Sequence, residues 1–216
     1  MTFGTRLARL VRLLALSLAA AALPGCIEMA AVGASAVVMS AVDRRTTGAQ
    51  VDDEGIELRA SNRISERFGD RAHASVTSFN RSVLVTGEVP DAKVKEEIEK
   101  IVAAVPNVRS VTNDLEIMPI TTLGNRANDA TITGKVKARF LDAGRFNALH
   151  VKVVTERSVV YLLGVVTDAE AADAVEVART GGVRKVVKIF DYCKPTDAAC
   201  APRDRGKAEE PKKSGS

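Results

Sequence analysis

Ser82-Val83-Leu84-Val85-Thr86-Gly87-Glu88-Val89 and Ser158-Val159-Val160-Tyr161-Leu162-Leu163-Gly164-Val165-Val166 decide the architecture. Both are β-rich runs that end on a glycine and a short apolar link, and Gly87 and Gly164 stand 77 residues apart. Self-similarity at one spacing is the mark of a duplicated unit. An Asp and a helical stretch follow each run, Asp91 to Val105 and Asp168 to Arg179. A Val-rich strand comes next, Val108 to Asn113 and Val183 to Lys188. Before each run lies a helix, Glu54 to Phe68 and Asn128 to Asp142, then a short strand, Ala74 to Phe79 and Val151 to Thr155. Asn80-Arg81 and Glu156-Arg157 occupy the hairpin turns. In the second copy Ile132, Val136 and Phe140 recur every four residues as an apolar stripe, with Asn128 or Asp129 as the cap. The order is helix–strand–strand–helix–strand, twice. The fold class is α+β, two tandem small domains, each with two helices on one face of a three-stranded sheet.

Outward from this pair, the N-terminus reads as an export signal. Residues 1–25 carry Arg6, Arg9 and Arg12, then an apolar run from Leu13 to Leu23 too short to span a bilayer. The run ends at Leu23-Pro24-Gly25-Cys26, which resembles the bacterial lipobox. Cys26 is then the acylated first mature residue. Several acyl (palmitate-type) chains on one Cys anchor the protein without spanning, at about 0.8 kcal/mol per buried methylene. Ile27 and Glu28 follow, not the Asp that retains lipoproteins in the inner membrane, so the expected address is the outer membrane, facing the periplasm. Residues 26–50 form a tether. Its small, apolar part, Met29 to Val42, either lies in the interface or is flexible, and Asp43 to Gly48 breaks any helix. The first domain takes residues 51–118, the linker 119–127 with Gly124, Asn125 and Arg126, the second domain 128–192, and residues 193–216 form a disordered tail.

This order resembles the dual BON-domain outer-membrane lipoproteins, which are linked to envelope integrity and cell division. The resemblance is carried by the lipobox, Asp43 to Asp53, Val83 to Gly87, Asn128-Asp129, Lys152 to Glu156 and Gly164 to Thr167. It implies anionic phospholipid binding by the second domain, chiefly through its first helix. The positions implied are Thr131, Lys135, Lys137, Arg139, Leu141 and Arg145. Thr131 stands where the family carries a lipid-dipping Trp, and Leu141 where a residue touches acyl chains.

The charge distribution bears on this independently. The chain is formally +4, and the leader removes three of these charges. Residues 51–118 hold nine Lys or Arg against thirteen Asp or Glu, whereas residues 119–193 hold eleven against eight. A basic second domain is drawn to an anionic surface, at about 1 kcal/mol per nearby cation before screening. Lys135 and Arg139 share a helix face and Lys137 sits off it. The competing reading is a solvated helix face with ordinary surface charge. The test is whether Lys135, Arg139 and Leu141 lie exposed on one surface.

Nothing in the pattern calls for catalysis, a cofactor or a metal. His73 and His150 lie in different repeats without ligands at metal spacing, and Gly-x-Ser-x-Gly and phosphate loops are absent. The cluster Glu96, Glu97 and Glu99 alternates with Lys93, Lys95 and Lys100 as an ion-paired helix face. Nucleic acid is excluded by the periplasmic address and the lack of stacking aromatics. Cys193 and Cys200 suit a small disulfide loop, with free thiols as the alternative. The expected partner is an anionic phospholipid membrane, read by a monomer. The other reading is an adaptor that docks on outer-membrane assembly or division proteins, for which the acidic first domain supplies the contact.

Overall fold

The structure is a computed structural model that describes residues 43–198 and Cys200. The leader, Cys26, most of the tether and all but the start of the tail lie outside the described residues. No helix among the described residues is long and apolar enough to cross a membrane.

The first repeat runs α1 (Thr47–Phe68), β1 (His73–Phe79), β2 (Ser82–Val89), α2 (Ala92–Ala103) and β3 (Ser110–Ile117). The second runs α3 (Leu123–Ala143), β4 (Val151–Glu156), β5 (Val159–Val166), α4 (Asp168–Ala178) and β6 (Lys185–Tyr192). Short 3₁₀ turns, Gly69–Arg71 and Ala148–His150, lead into β1 and β4. In each sheet the middle strand pairs antiparallel with the strand before it and parallel with the strand after the crossover helix. This is the order expected from the repeat, and two helices cover one face of each sheet. In the first repeat Ile56, Ala60, Ile64 and Phe68 meet Ile98 and Val102 over Val83 and Val85. In the second, Ile132, Val136 and Phe140 meet Ala174 and Ala178 over Val160 and Leu162.

Each repeat is stitched by the same device. The hairpin turns are Asn80-Arg81 and Arg157-Ser158, all four at positive φ as a type I′ turn demands. Such a turn turns two backbone N–H groups towards the opening helix, and a buried carboxylate meets them. Asp53 accepts from Asn80 N at 2.8 Å, Arg81 N at 2.7 Å and Ser78 Oγ at 2.6 Å. Asp129 accepts from Arg157 N and Ser158 N, each at 2.8 Å. Gly87 and Gly164 also share a role, because the opening of the neighbouring strand passes directly over them. A Cβ on Gly87 (φ 123°) would run into the His73 carbonyl, and one on Gly164 would lie 2.5 Å from the His150 oxygen.

Several expected boundaries move. The second turn is Arg157-Ser158, not Glu156-Arg157, since Glu156 closes β4. The segment Asp43 to Gly48 does not break a helix. Thr46 Oγ1 accepts from Ala49 N at 3.1 Å and starts α1 seven residues before Glu54. Likewise Thr122 caps α3, so Gly124, Asn125 and Arg126 are helical rather than linker. Neither Asn128 nor Asp129 is a cap, and Asp129 is committed to the hairpin. β3 and β6 start two residues late and run four further than expected.

The sheets' other faces carry the largest difference. Every residue of β2 and β5 is buried. Phe79 and Leu84 of the first sheet pack against Val159, Tyr161, Leu163 and Val165 of the second. The two domains therefore stack sheet on sheet, and the molecule has four layers, helix–sheet–sheet–helix. Polar contacts rim this interface: Tyr161 Oη donates to Asp114 at 2.6 Å, Arg157 pairs with Glu116 at 2.6 Å, and Asn80 Nδ2 donates to Asp191 at 2.8 Å.

Candidate functional site

The opening helix of the second domain, α3, is amphipathic for a simple reason. Asp129, Ile132, Val136 and Phe140 recur at three- and four-residue steps and face the sheet, which leaves the remaining arc outward. Thr131, Lys135, Lys137, Arg139 and Leu141 all lie on that exposed arc, and Arg145 lies just beyond it. None is buried against the first domain. The surface they make is not single, however. At about 100° per residue, Lys135 and Arg139 fall on the flank next to α4, while Lys137 and Leu141 fall on the flank next to β4. Thr131 sits between them on the outer crest, its Oγ1 donating to the Ala127 carbonyl at 3.0 Å.

The cations differ in availability. Arg139 Nε donates to the Val177 carbonyl at 3.1 Å. Arg145 pairs with Glu176 at 2.9 Å and Asp173 at 3.4 Å, and the Glu176 hydrogen bond raises its pKa further. Lys152 pairs with Glu57 of α1 at 2.9 Å. Lys135 and Lys137 have no ion-pair or hydrogen-bond partner among the described residues. Arg145 is thus paired within its own domain, and of the α3 cations expected to meet lipid, Lys135 and Lys137 are the ones without a partner among the described residues.

Beside the Lys137 flank lies a cleft of about 400 Å³, with Phe140, Leu141, Leu149 and Val153 on one side and Phe79 on the other. Leu141 is 70% exposed and Leu149 49%. Leu149 was not among the residues expected from sequence. It sits in the Ala148–His150 turn, whose backbone is held by Asn147 Oδ1 accepting from Leu149 N at 3.0 Å. A large aliphatic residue in a polar turn was the only available signal.

Asp43 and Arg45, from the segment entering α1, also line the cleft. Arg44 makes a bidentate pair with Glu170, at 2.6 and 3.0 Å, and also donates to the Val165 carbonyl at 3.0 Å. Burial alone raises the Glu170 pKa, but hydrogen bonds from Arg44 and Thr167 outweigh it and hold the carboxyl at about 2. Arg45 turns the other way, to Asp43 at 2.7 Å and Asp53 at 2.8 Å, with its guanidinium 4.2 Å over the Phe79 ring. Burial lowers its pKa, yet the hydrogen bonds it donates to Asp43 and Asp53 raise it overall. One short stretch therefore grips both domains.

Cys193 and Cys200 are disulfide-bonded, their Cα atoms 6.2 Å apart, and Cys200 is buried against the inter-domain cluster. No group of three or more metal-ligating side chains occurs among the described residues.

The comparisons agree with this architecture. A family model described as BON domain matches residues 52–119 and again 128–193. The protein is thus a tandem of BON domains. The chain belongs to the dual BON-domain family of outer-membrane lipoproteins. It is 35% identical over 173 residues to the outer membrane lipoprotein DolP of Haemophilus influenzae, covering 79% of this chain and 90% of that protein. It is 33% identical over 154 residues to a protein named 21 kDa hemolysin from Actinobacillus pleuropneumoniae, covering 70% and 79%. Among solved structures, CdsD, a structural protein of the type III secretion system of Chlamydia trachomatis, aligns with 63% of this chain at 13% identity and a TM-score of 0.26, too slight a likeness to bear on the arrangement above.

Proposed function

We propose that this protein is a non-catalytic lipoprotein, anchored through Cys26 to the outer membrane and facing the periplasm, whose second BON domain binds anionic phospholipid and so supports envelope integrity. The supporting observation is the outward arc of α3. Two cations without a partner among the described residues, Lys135 and Lys137, and the exposed Leu141 share one helix outside the core. Cations near an anionic leaflet contribute about 1 kcal/mol each, and an apolar side chain adds its burial. Each is weak alone, and together with a lipid anchor they act jointly.

Vesicle co-sedimentation tests this. All three hydrophobic clusters lie between residues 56 and 200, so the soluble fragment 43–216 keeps its cores. It is expected to pellet with phosphatidylglycerol vesicles and not with phosphatidylcholine, to be released by high salt, and to lose binding about tenfold or more in Lys135→Glu/Lys137→Glu. Equal behaviour on both lipids sinks the reading.

The second reading, an adaptor for outer-membrane assembly or division proteins, draws on Ile117, Met118, Ile120 and Leu123, which stand exposed where the first domain runs into α3. Crosslinking from Ile120 in the envelope separates the two: a protein adduct there favours the adaptor.

A further inference from the structure

The two repeats finish their sheets differently. In each, the strand after the crossover helix is an outer strand, β3 in the first and β6 in the second. Met118 N donates to the Val89 carbonyl at 3.1 Å, and Cys193 N to the Val166 carbonyl at 3.0 Å. Backbone groups alternate in direction along a strand. Those of Val111, Asn113 and Leu115 in β3, and of Val186, Lys188 and Phe190 in β6, therefore turn away from the neighbouring strand.

In the first repeat side chains close that edge. Lys95 Nζ of α2 donates to the Leu115 carbonyl at 2.6 Å. Asn113 Oδ1 accepts from Leu115 N at 3.3 Å, and Asn113 Nδ2 donates to the Lys95 carbonyl at 3.0 Å and to Glu99 at 2.9 Å. An edge occupied in this way resists pairing with another chain. The second repeat lacks the cover. Asn113 stands opposite Val85, two residues before Gly87, whereas the residue opposite Leu162, two before Gly164, is Lys188. Lys95 stands four residues after the α2 cap Asp91, and four residues after the α4 cap Thr167 the chain reads Ala171-Ala172. No side chain among the described residues hydrogen-bonds the outward groups of Val186, Lys188 or Phe190.

The small residues leave a groove of about 370 Å³ between α4 and β6, with Ala171, Ala172 and Val175 on one side and Lys188 and Tyr192 on the other. Tyr192 is half exposed at its end. An open outer strand beside a helix-walled groove suits an extended peptide. Main-chain bonds hold it as an added strand, and alternate side chains enter the groove.

Charge selects the peptide. Arg179 and Lys188 line the groove and Lys185 begins β6, all exposed and without a side-chain partner among the described residues. Of the two acids lining the groove, Glu176 is paired with Arg145, and Asp168 alone lacks an ion-pair partner among the described residues. A lysine in an outer strand discourages neutral and basic strands and admits an acidic one.

We propose that the groove between α4 and β6 docks an acidic, extended segment of a partner protein, which joins the second sheet as a strand beside β6. This deepens the adaptor reading on a surface other than Ile117 to Leu123. It does not depend on the phospholipid reading, because β6 is the edge opposite β4 and α3.

The test uses the full lipidated chain in phosphatidylcholine nanodiscs, panned with phage-displayed random linear peptides as long as β6, eight residues. Empty nanodiscs give the background. Enriched peptides are expected to be acidic and rich in β-branched residues. A synthetic copy is expected to slow amide exchange at Val186, Lys188 and Phe190. Its binding should weaken about tenfold or more in Lys188→Glu, where like charges meet. It should weaken as much in Ala172→Lys/Lys188→Asn, which restores the side chains of the first repeat's closure. Lys93→Glu, on α2 of the first domain, should change it less than about twofold. Circular dichroism is expected to be unchanged in all three variants. No enrichment over empty nanodiscs, neutral or basic peptides, or dimers paired through β6 on a sizing column each overturn the proposal. Protection at residues 117–123 in place of β6 overturns it too and leaves the adaptor reading standing.

Discussion

At the residue scale, the two buried carboxylates Asp53 and Asp129 do equivalent work. Each satisfies the paired N–H groups of a positive-φ turn that no strand can reach. Removing such an acceptor leaves buried donors unmet, so Asp129→Ala is expected to lower stability by about 3 kcal/mol, read by urea unfolding. Its exposed neighbour Asn128→Ala should change it by less than about 0.5 kcal/mol. Arg44 and Glu170 carry a pH signature. The carboxyl is held at about 2, below its unfolded value, so its contribution is present above the unfolded pKa and is lost as pH falls through the window towards 2. In Arg44→Ala that acid-dependent loss should shrink, measurable as a smaller change in urea midpoint between pH 5 and pH 3. In the sequence Asn128 or Asp129 reads as a cap, because Asn or Asp before an apolar stripe usually is one. Its actual partners lie 28 and 29 residues away, and only the hairpin's arrival reveals them.

At the element scale, the helices were legible in their buried stripes and not in their starts. Ile132, Val136 and Phe140 are all buried, as their four-residue spacing demands. Both opening helices nevertheless begin five to seven residues before the starts expected at Asn128 and Glu54. Thr46 and Thr122 supply side-chain caps upstream, and the added turns need only a cap and tolerable propensity. Thr46→Ala is expected to cost about 1 kcal/mol by thermal or urea unfolding. Gly164 is a constraint between elements. In Gly164→Ala the new methyl meets the His150 carbonyl, a backbone atom that moves only with the 3₁₀ turn. That variant should therefore disturb the Leu149 turn as well as stability, seen as amide shift changes spreading over residues 148–151.

At the scale of the whole molecule, the two sheets share one core, so the domains are expected to unfold together. A single urea transition seen by near- and far-ultraviolet dichroism checks this, and two separated transitions would contradict it. The second domain alone would expose Val159, Tyr161, Leu163 and Val165 and should aggregate or bind a hydrophobic dye. The interface also holds buried acid. Glu88 is fully buried with Oε1 lacking a partner among the described residues, and Glu156 sits nearby against Thr86. Burial first, and the charge of Glu88 next, push the Glu156 pKa up. A raised carboxyl binds more protons folded than unfolded, so stability falls as pH rises through that window, opposite in sign to Glu170. Glu156→Gln should flatten the fall, measured as urea midpoints from pH 4.5 to pH 7.

The chain's own pattern determined the duplication, the element order, the buried stripes and the family, because these rest on local periodicity and on spacing along one sequence. It also held a clue to the stacking. Val159 to Val166 does not alternate apolar with polar, as a strand with one wet face would. The facing residues of the first sheet, Thr86, Glu88, Thr112 and Asp114, are polar, so nothing in the first repeat's pattern matches it. Only the tertiary structure decided that the sheets face each other, that Arg145 pairs with Glu176, that Leu149 stands beside Leu141, and that Arg44 reaches Glu170 of the second domain. Each of these joins residues whose distance in sequence carries no periodic signal, and each depends on how two independently formed layers come to rest against one another.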